Sequence, residues 1–138
     1  NAMNVQAQRL GLENTRFENP HGLTETGHHS SAADLARLAR AAFELPLMRE
    51  IVACQERGCT LHSVDGYQRN VVWTNTNRLL SQEGFLGMKT GTTQAAGACL
   101  IAIGEYQDKR HIVVVLGSQS SDARYQDARN LFAWTWRQ

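Results

Sequence analysis

Lysine is scarce in this chain: of 138 residues only Lys89 and Lys109 are lysines. Lys89 opens Lys89-Thr90-Gly91, inside the run Gly84-Phe85-Leu86-Gly87-Met88-Lys89-Thr90-Gly91-Thr92-Thr93, which reads as a short strand. A cation, a hydroxyl and a residue without a side chain, in succession, suit a place where a peptide-like ligand with a carboxylate lies against a strand. The charge attracts the carboxylate, the hydroxyl donates to it, and glycine lets the ligand backbone come close. Neighbouring strand residues point to opposite faces. Lys89 and Thr90 can therefore share one cleft only if it wraps the exposed edge of the strand. Taken without context, Lys89 reads first as an edge lysine that guards against aggregation.

Little other chemistry competes with this stretch. Cys54, Cys59 and Cys99 are odd in number and form no C-x-x-C. They read as small buried hydrophobes, with a Cys54–Cys59 disulfide left open for an exported protein. The five histidines (His21, His28, His29, His62, His111) do not fall at zinc-ligand spacing with the cysteines, so no metal site is expected. No organic cofactor is implied. A net charge of +1 gives no reason to expect nucleic acid or an anionic membrane as partner. Apolar content of 42% and charged content of 20% fit one ordinary globular domain. The longest apolar run, around Ile112–Leu116, is strand-sized and far short of a membrane span.

The chain falls into a helical part over 4–57 and a sheet part over 58–138, within a single partial domain. Asn1-Ala2-Met3 reads as an expression-tag remnant ahead of an initiator methionine. Asn4 to Leu10 is a short helical pattern closed by Gly11, and 12–27 is a loop broken by Asn19-Pro20 and His21-Gly22. Ser31 and Asp34 stand at capping-box spacing before a helix. Its buried face holds Leu35, Leu38, Ala39, Ala42 and Phe43, and Arg37 and Arg40 are solvated. Pro46 opens a second helix, Leu47 to Ala53. Cys59 to Val64, a turn at Asp65-Gly66, and Tyr67 to Trp73 read as a hairpin. The segment Trp73-Thr74-Asn75-Thr76-Asn77 leads to Arg78-Leu79-Leu80 and then to the Lys-Thr-Gly strand. Ala98 to Glu105 and His111 to Gly117 are two more strands, near-continuous apolar runs expected to be covered on both faces as in mid-sheet. Ser120 or Ser121 caps a last helix to about Trp136, with Leu131, Phe132 and Trp136 on its buried side. This is an α+β order: an antiparallel sheet of three main strands plus a hairpin, helices before the sheet and one after. The sheet needs a helix layer on each face, and the last helix supplies only one.

Three segments in order carry a family resemblance. Asn19-Pro20-His21-Gly22-Leu23 with Gly27-His28 and Ser31-Ala32-Ala33-Asp34-Leu35-Ala36, then Trp73-Thr74-Asn75-Thr76-Asn77, then Lys89-Thr90-Gly91, resemble the serine D-Ala-D-Ala carboxypeptidases. These are low-molecular-mass penicillin-binding proteins of the S11 peptidase type. The likeness runs from about Asn4 to the last helix, and implies part of a β-lactamase/transpeptidase-like fold. Of the family's three motifs, Ser-x-x-Lys, Ser-x-Asn and Lys-Thr-Gly, only the last is here. A Ser-x-x-Lys needs serine three residues before Lys89 or Lys109, and those positions are Leu86 and Tyr106. No asparagine has a serine two residues before it. The resemblance thus implies the C-terminal half of a catalytic domain, with nucleophile, base and proton shuttle upstream of Asn1.

By that resemblance Lys89 is a catalytic residue that favours negative charge in the cleft and supports the shuttle serine. Thr90 meets the substrate carboxylate, and Gly91 admits the substrate backbone. The Thr92 backbone N–H is an oxyanion-hole donor. Arg124 holds the Lys-Thr-Gly strand or the carboxylate pocket, or else is a solvated helix arginine. Some members carry arginine where this chain has Thr76. Asn75 and Asn77 either cap the loop or touch substrate, and His21 and His28 make loop hydrogen bonds. The implied parent cleaves D-Ala from peptidoglycan stem peptides, is acylated by β-lactams, and works in the periplasm or outside the cell, membrane-associated. A class A β-lactamase-like fragment and a non-catalytic module binding peptidoglycan peptides or a protein are the rival readings. In the family, strands of the absent part pair with the strand matching Arg110–Gly117, so a homodimer through that unpaired sheet edge is expected.

Overall fold

The structure, a computed structural model, describes residues 2–137. Helix α1 (Ala2–Arg9) ends at Gly11, whose φ of 66° supplies the left-handed turn. The loop after it folds back on itself. Arg16 and His29 exchange both backbone hydrogen bonds, and the Asn4 side chain of α1 bonds both the amide and the carbonyl of Phe17.

Helix α2 (Ala32–Phe43) is capped by Ser31, whose hydroxyl accepts from the Asp34 N–H at 3.2 Å. The return half of the capping box is not made, because the short Asp34 side chain turns toward the loop instead. Fully buried, it accepts from the Asn14 N–H at 2.7 Å, the Thr15 hydroxyl at 2.8 Å and Arg37 at 2.8 Å. A buried carboxylate needs such partners. Arg37 is exposed, as expected, and is also an ion-pair partner one turn away. Ala39 and Phe43 are buried as expected, whereas Leu35, Leu38 and Ala42 are only half-buried.

Burial pushes the Asp34 carboxyl up, but the Thr15 hydroxyl, the Asn14 amide and Arg37 outweigh it and hold it below the usual 3.8. A depressed folded-state pKa stabilises the fold above the unfolded-state value, and that contribution disappears as pH falls through the folded value. Asp34→Asn removes this titration. Urea midpoints between about pH 5 and pH 2 should fall less steeply for the variant than for the wild type. Parallel curves would show that Asp34 contributes nothing to acid sensitivity.

Helix α3 (Pro46–Ala53) leads into the hairpin of β1 (Glu56–His62) and β2 (Gln68–Thr74), a two-stranded sheet of its own whose residues are nearly all exposed. The turn is longer than Asp65-Gly66. Ser63 N–H donates to the Tyr67 carbonyl at 2.9 Å and Gly66 N–H to the Ser63 carbonyl at 3.1 Å. A two-residue turn of type I′ needs positive φ at both central residues. Gly66 supplies it at 79°, and Asp65 does not adopt it.

The main sheet has the order β3 (Phe85–Thr93), β4 (Gly97–Tyr106), β5 (Lys109–Ser118), all antiparallel. Among the described residues only β4 is a middle strand. β5 lies at an edge, its ladder with β4 is irregular opposite Cys99, and its Leu116 is 40% exposed. Helix α4 (Ser121–Thr135), capped by Ser120, covers one face through Tyr125, Ala128 and Phe132 against Leu100, Ala102, Val113 and Val115. Phe132 and Trp136 lie on the buried side as expected, whereas Leu131 is 43% exposed and falls outside the stripe. The other layer comes from α2 and α3, with Phe43 and Val52 packed around Ile103. Among the described residues no helix is long and apolar enough to cross a membrane.

Candidate active site

Among the described residues β3 pairs only with β4, so its other edge is open. Along that edge runs a cleft of about 500 Å³. Lys89, Thr90, Gly91, Thr92 and Thr93 all line it, although successive residues alternate in direction. A cleft that wraps the strand edge is the arrangement that permits this. The facing wall is the 12–30 loop, through Phe17, His21, Gly22, His28 and His29, and Cys99, Ile101 and Leu116 extend it across the sheet. The Thr24 hydroxyl donates to Thr93 Oγ1 at 3.0 Å and joins loop to strand. Within the loop, His28 Nδ1 accepts from the Glu18 N–H and His21 Nδ1 from the Leu23 N–H, both at 3.2 Å. These are the loop hydrogen bonds expected of them.

Lys89 is exposed, and its ammonium donates to the Thr90 carbonyl. Thr90 is 8% exposed, and its hydroxyl oxygen lies 2.5 Å from that of Thr76. At Gly91 an added Cβ would meet nothing within 4 Å, and the backbone is not left-handed. Neither packing nor conformation calls for glycine there; the space it leaves belongs to the cleft. Thr92 is exposed, with its hydroxyl turned to Arg124.

Arg124 is no solvated helix arginine. It is buried, and one terminal nitrogen donates to the Gly91 carbonyl at 3.1 Å, Thr92 Oγ1 at 3.0 Å and the Cys99 carbonyl at 3.1 Å. The other reaches Ser121 Oγ at 3.1 Å. The first turn of α4 is thereby fastened to the C-terminal half of β3.

Asn75 and Asn77 act as caps. Asn75 Nδ2 donates to the Val52 and Cys54 carbonyls at 3.3 and 3.1 Å, and its Oδ1 accepts from the Asn77 N–H at 2.9 Å. Asn77 Oδ1 accepts from the Leu79 N–H at 3.2 Å and starts the short 3₁₀ helix Arg78–Ser81. Two sets of contacts here escape a reading of the sequence. Thr76 meets Thr90, and the Tyr125 hydroxyl donates to the Thr76 carbonyl at 2.8 Å while accepting from the Arg78 N–H at 3.1 Å. The available signal was that a buried tyrosine hydroxyl must find a partner. Arg78 also bonds Asp122 at 2.6 Å and by that hydrogen bond holds its carboxyl below the usual range.

The three cysteines are free thiols. Cys54 donates to the Glu56 carbonyl at 3.3 Å, and Cys59 accepts from the Trp73 indole at 3.3 Å. Among the described residues no group of three or more His, Cys, Asp or Glu side chains is placed to hold a metal ion.

Comparison with known proteins gives one answer at the levels of family, sequence and fold. The family model described as D-alanyl-D-alanine carboxypeptidase, peptidase S11, matches residues 1–120. D-alanyl-D-alanine carboxypeptidase DacC of Escherichia coli is 35% identical over 135 residues, which is 98% of this chain and 32% of that protein. DacF of Bacillus subtilis is 34% identical over 99% of this chain and 34% of its own length. The chain thus spans about a third of the length of these relatives. The crystal structure of the Streptomyces K15 DD-transpeptidase superposes with a TM-score of 0.93 at 32% identity, over 99% of this chain and 53% of that one. Penicillin-binding protein D2 of Listeria monocytogenes, solved in a cefotaxime-bound form, gives 0.78 at 31% identity over 96% of this chain and 52% of that one. The helices, antiparallel sheet and Lys-Thr-Gly edge are a partial transpeptidase-like fold, and the chain belongs to the S11 family of D-alanyl-D-alanine carboxypeptidases.

Proposed function

We propose that this chain forms the Lys-Thr-Gly wall of the cleft in a serine D-Ala-D-Ala carboxypeptidase, which takes the D-Ala-D-Ala end of peptidoglycan stem peptides and is acylated by β-lactams. The supporting observation is Lys89, Thr90 and Gly91 along an open strand edge, all lining one cleft, with nothing but space where a Gly91 side chain would stand. An extended peptide can lie beside such an edge. Lys89 favours negative charge and supports the shuttle serine. Thr90 donates to the terminal carboxylate. The Thr92 N–H is one oxyanion-hole donor, stabilising charge that develops on the attacked carbonyl. Arg124 holds these backbone groups in place.

Acyl transfer also needs a nucleophile and a base. No serine in this chain stands three residues before a lysine, so these 138 residues alone carry neither a Ser-x-x-Lys nor the chemistry it performs. A test with two arms follows. Incubation with a fluorescent penicillin and a denaturing gel should give no labelled band at 15.4 kDa; a label there would refute the claim of inactivity. Amide NMR during titration with N-acetyl-D-Ala-D-Ala should show Thr90, Gly91 and Thr92 shifting first. Shifts confined to other surfaces would remove the cleft from consideration and favour a module that binds elsewhere. Family membership speaks against the class A β-lactamase-like reading.

The same proposal puts the parent enzyme outside the cytoplasmic membrane, membrane-associated, where its substrate lies. It also includes self-association. Among the described residues the outer edge of β5 is unpaired, and an open apolar edge is a template for another strand. Light scattering should report a dimer; a monomer whose β5 amides exchange freely would end that part of the proposal.

A further inference from the structure

The Thr90 hydroxyl sits at the end of a chain of contacts that begins in α4. Tyr125, 1% exposed, fixes the main chain on both sides of Asn77 by donating to the Thr76 carbonyl and accepting from the Arg78 N–H. The Arg78 guanidinium lies 4.4 Å from the centre of the Tyr125 ring. One residue earlier, Arg124 fixes Gly91 and Thr92. Two consecutive residues of one helical turn therefore hold the two segments whose hydroxyls, Thr76 and Thr90, come to 2.5 Å.

A threonine hydroxyl has one proton to give and two lone pairs to accept with. In the Thr76–Thr90 pair one oxygen must donate. Were Thr90 the donor, it would have no proton left for a ligand. With Thr76 as donor, the Thr90 proton is free to point into the cleft, and accepting a bond makes it a better donor. Among the described residues neither hydroxyl has a protein partner other than the other, so the acceptor that Thr90 meets in the cleft sets the direction of the pair.

We infer that Thr76 and Tyr125 are positioning residues for Thr90: Tyr125 fixes the Thr76 backbone, Thr76 donates to Thr90, and Thr90 donates to the carboxylate of a bound peptide. The inference rests on the reading of Thr90 as the carboxylate donor. It makes recognition of a free C-terminus depend on Thr76, an exposed residue of the segment beside the Lys-Thr-Gly strand. A peptide ending in a carboxamide gains less from the relay, because a charged acceptor makes the stronger bond.

NMR on the 138-residue protein tests this without turnover. The first readout uses no ligand. Three-bond couplings should show one χ1 rotamer each for Thr76 and Thr90 in the wild type, and averaging at both in Tyr125→Phe, which keeps the ring and loses only the hydroxyl. Averaging already present in the wild type, or rotamers unchanged in Tyr125→Phe, overturns the positioning role. The second readout compares N-acetyl-D-Ala-D-Ala with its C-terminal amide. Thr76→Val should weaken the acid roughly tenfold and the amide by a smaller factor, and Thr76→Ser should restore most of the loss. Equal affinity of Thr76→Val and wild type for the acid overturns the relay. If the wild type does not bind the acid at all, the carboxylate reading of the cleft falls, and the rotamer result alone then decides whether Thr76 and Tyr125 position Thr90.

Discussion

Arg124→Met is expected to lower the stability of this protein by about 2–3 kcal/mol and to loosen the end of the Lys-Thr-Gly strand. Methionine fills much the same volume but donates nothing. The Gly91 and Cys99 carbonyls and the Thr92 hydroxyl all lose a donor, and losing hydrogen bonds from a charged donor at a part-buried site costs about 1–3 kcal/mol. Part of that loss is offset. Arg124 has no carboxylate partner among the described ion pairs and a buried Nε without a partner, so removing it also removes a desolvated charge. Arg124→Lys should fall between the two, since one ammonium cannot span all the acceptors that the planar guanidinium reaches. Urea unfolding gives the stability, and the amide shifts of Gly91 and Thr92 give the local effect. Unchanged values of both would mean that Arg124 is not what holds the strand.

Phe132→Ala should be more damaging still, at about 3–5 kcal/mol. Phe132 is 0% exposed and packs edge-on to Phe85, with ring centres 5.0 Å apart, and against Trp136 at 5.2 Å. Across from it β4 carries Gly104, where an added Cβ would sit 2.8 Å from the Phe132 ring. The strand thus has no side chain with which to fill the space the phenyl ring leaves, and a cavity that cannot collapse carries the larger penalty. Domains of this size are commonly stable by only 5–15 kcal/mol, so the variant should melt many degrees lower by near-ultraviolet circular dichroism. A loss under about 1 kcal/mol would mean that the Phe85–Phe132–Trp136 group is loosely packed.

The order of the elements, the edge position of β3 and the cleft along it were legible because each rests on a local pattern. Period-two runs, Gly11, Ser31 and Pro46 state their roles within a few residues. What escaped depends on partners far along the chain. Asp34 looked like half of a capping box, and its actual partners, Asn14 and Thr15, lie 20 and 19 residues away. Leu131 and Phe132 are equally apolar neighbours, and only the helix's rotation against the sheet decides which is buried. The turns invert the usual expectation. Asp65-Gly66 forms the longer loop, while Gln107 and Asp108, with φ of 49° and 61°, form the tight turn without glycine. There the ten-residue strands on either side, β4 and β5, dictate the turn. Lys89, Thr90 and Gly91 were readable as a unit; Thr76 and Tyr125 were not, because 49 residues separate them.

Among the described residues the β1–β2 hairpin shares no ladder with the main sheet. Its amides are guarded only by its own pairing, while those of β4 are guarded by the whole fold. In heavy water the molecule should therefore keep two clocks. The ribbon answers to its own openings, and the sheet answers to complete unfolding. The border between them falls at Asn75, whose amide takes the Gln55 carbonyl at 2.8 Å and whose side chain reaches back to the end of α3.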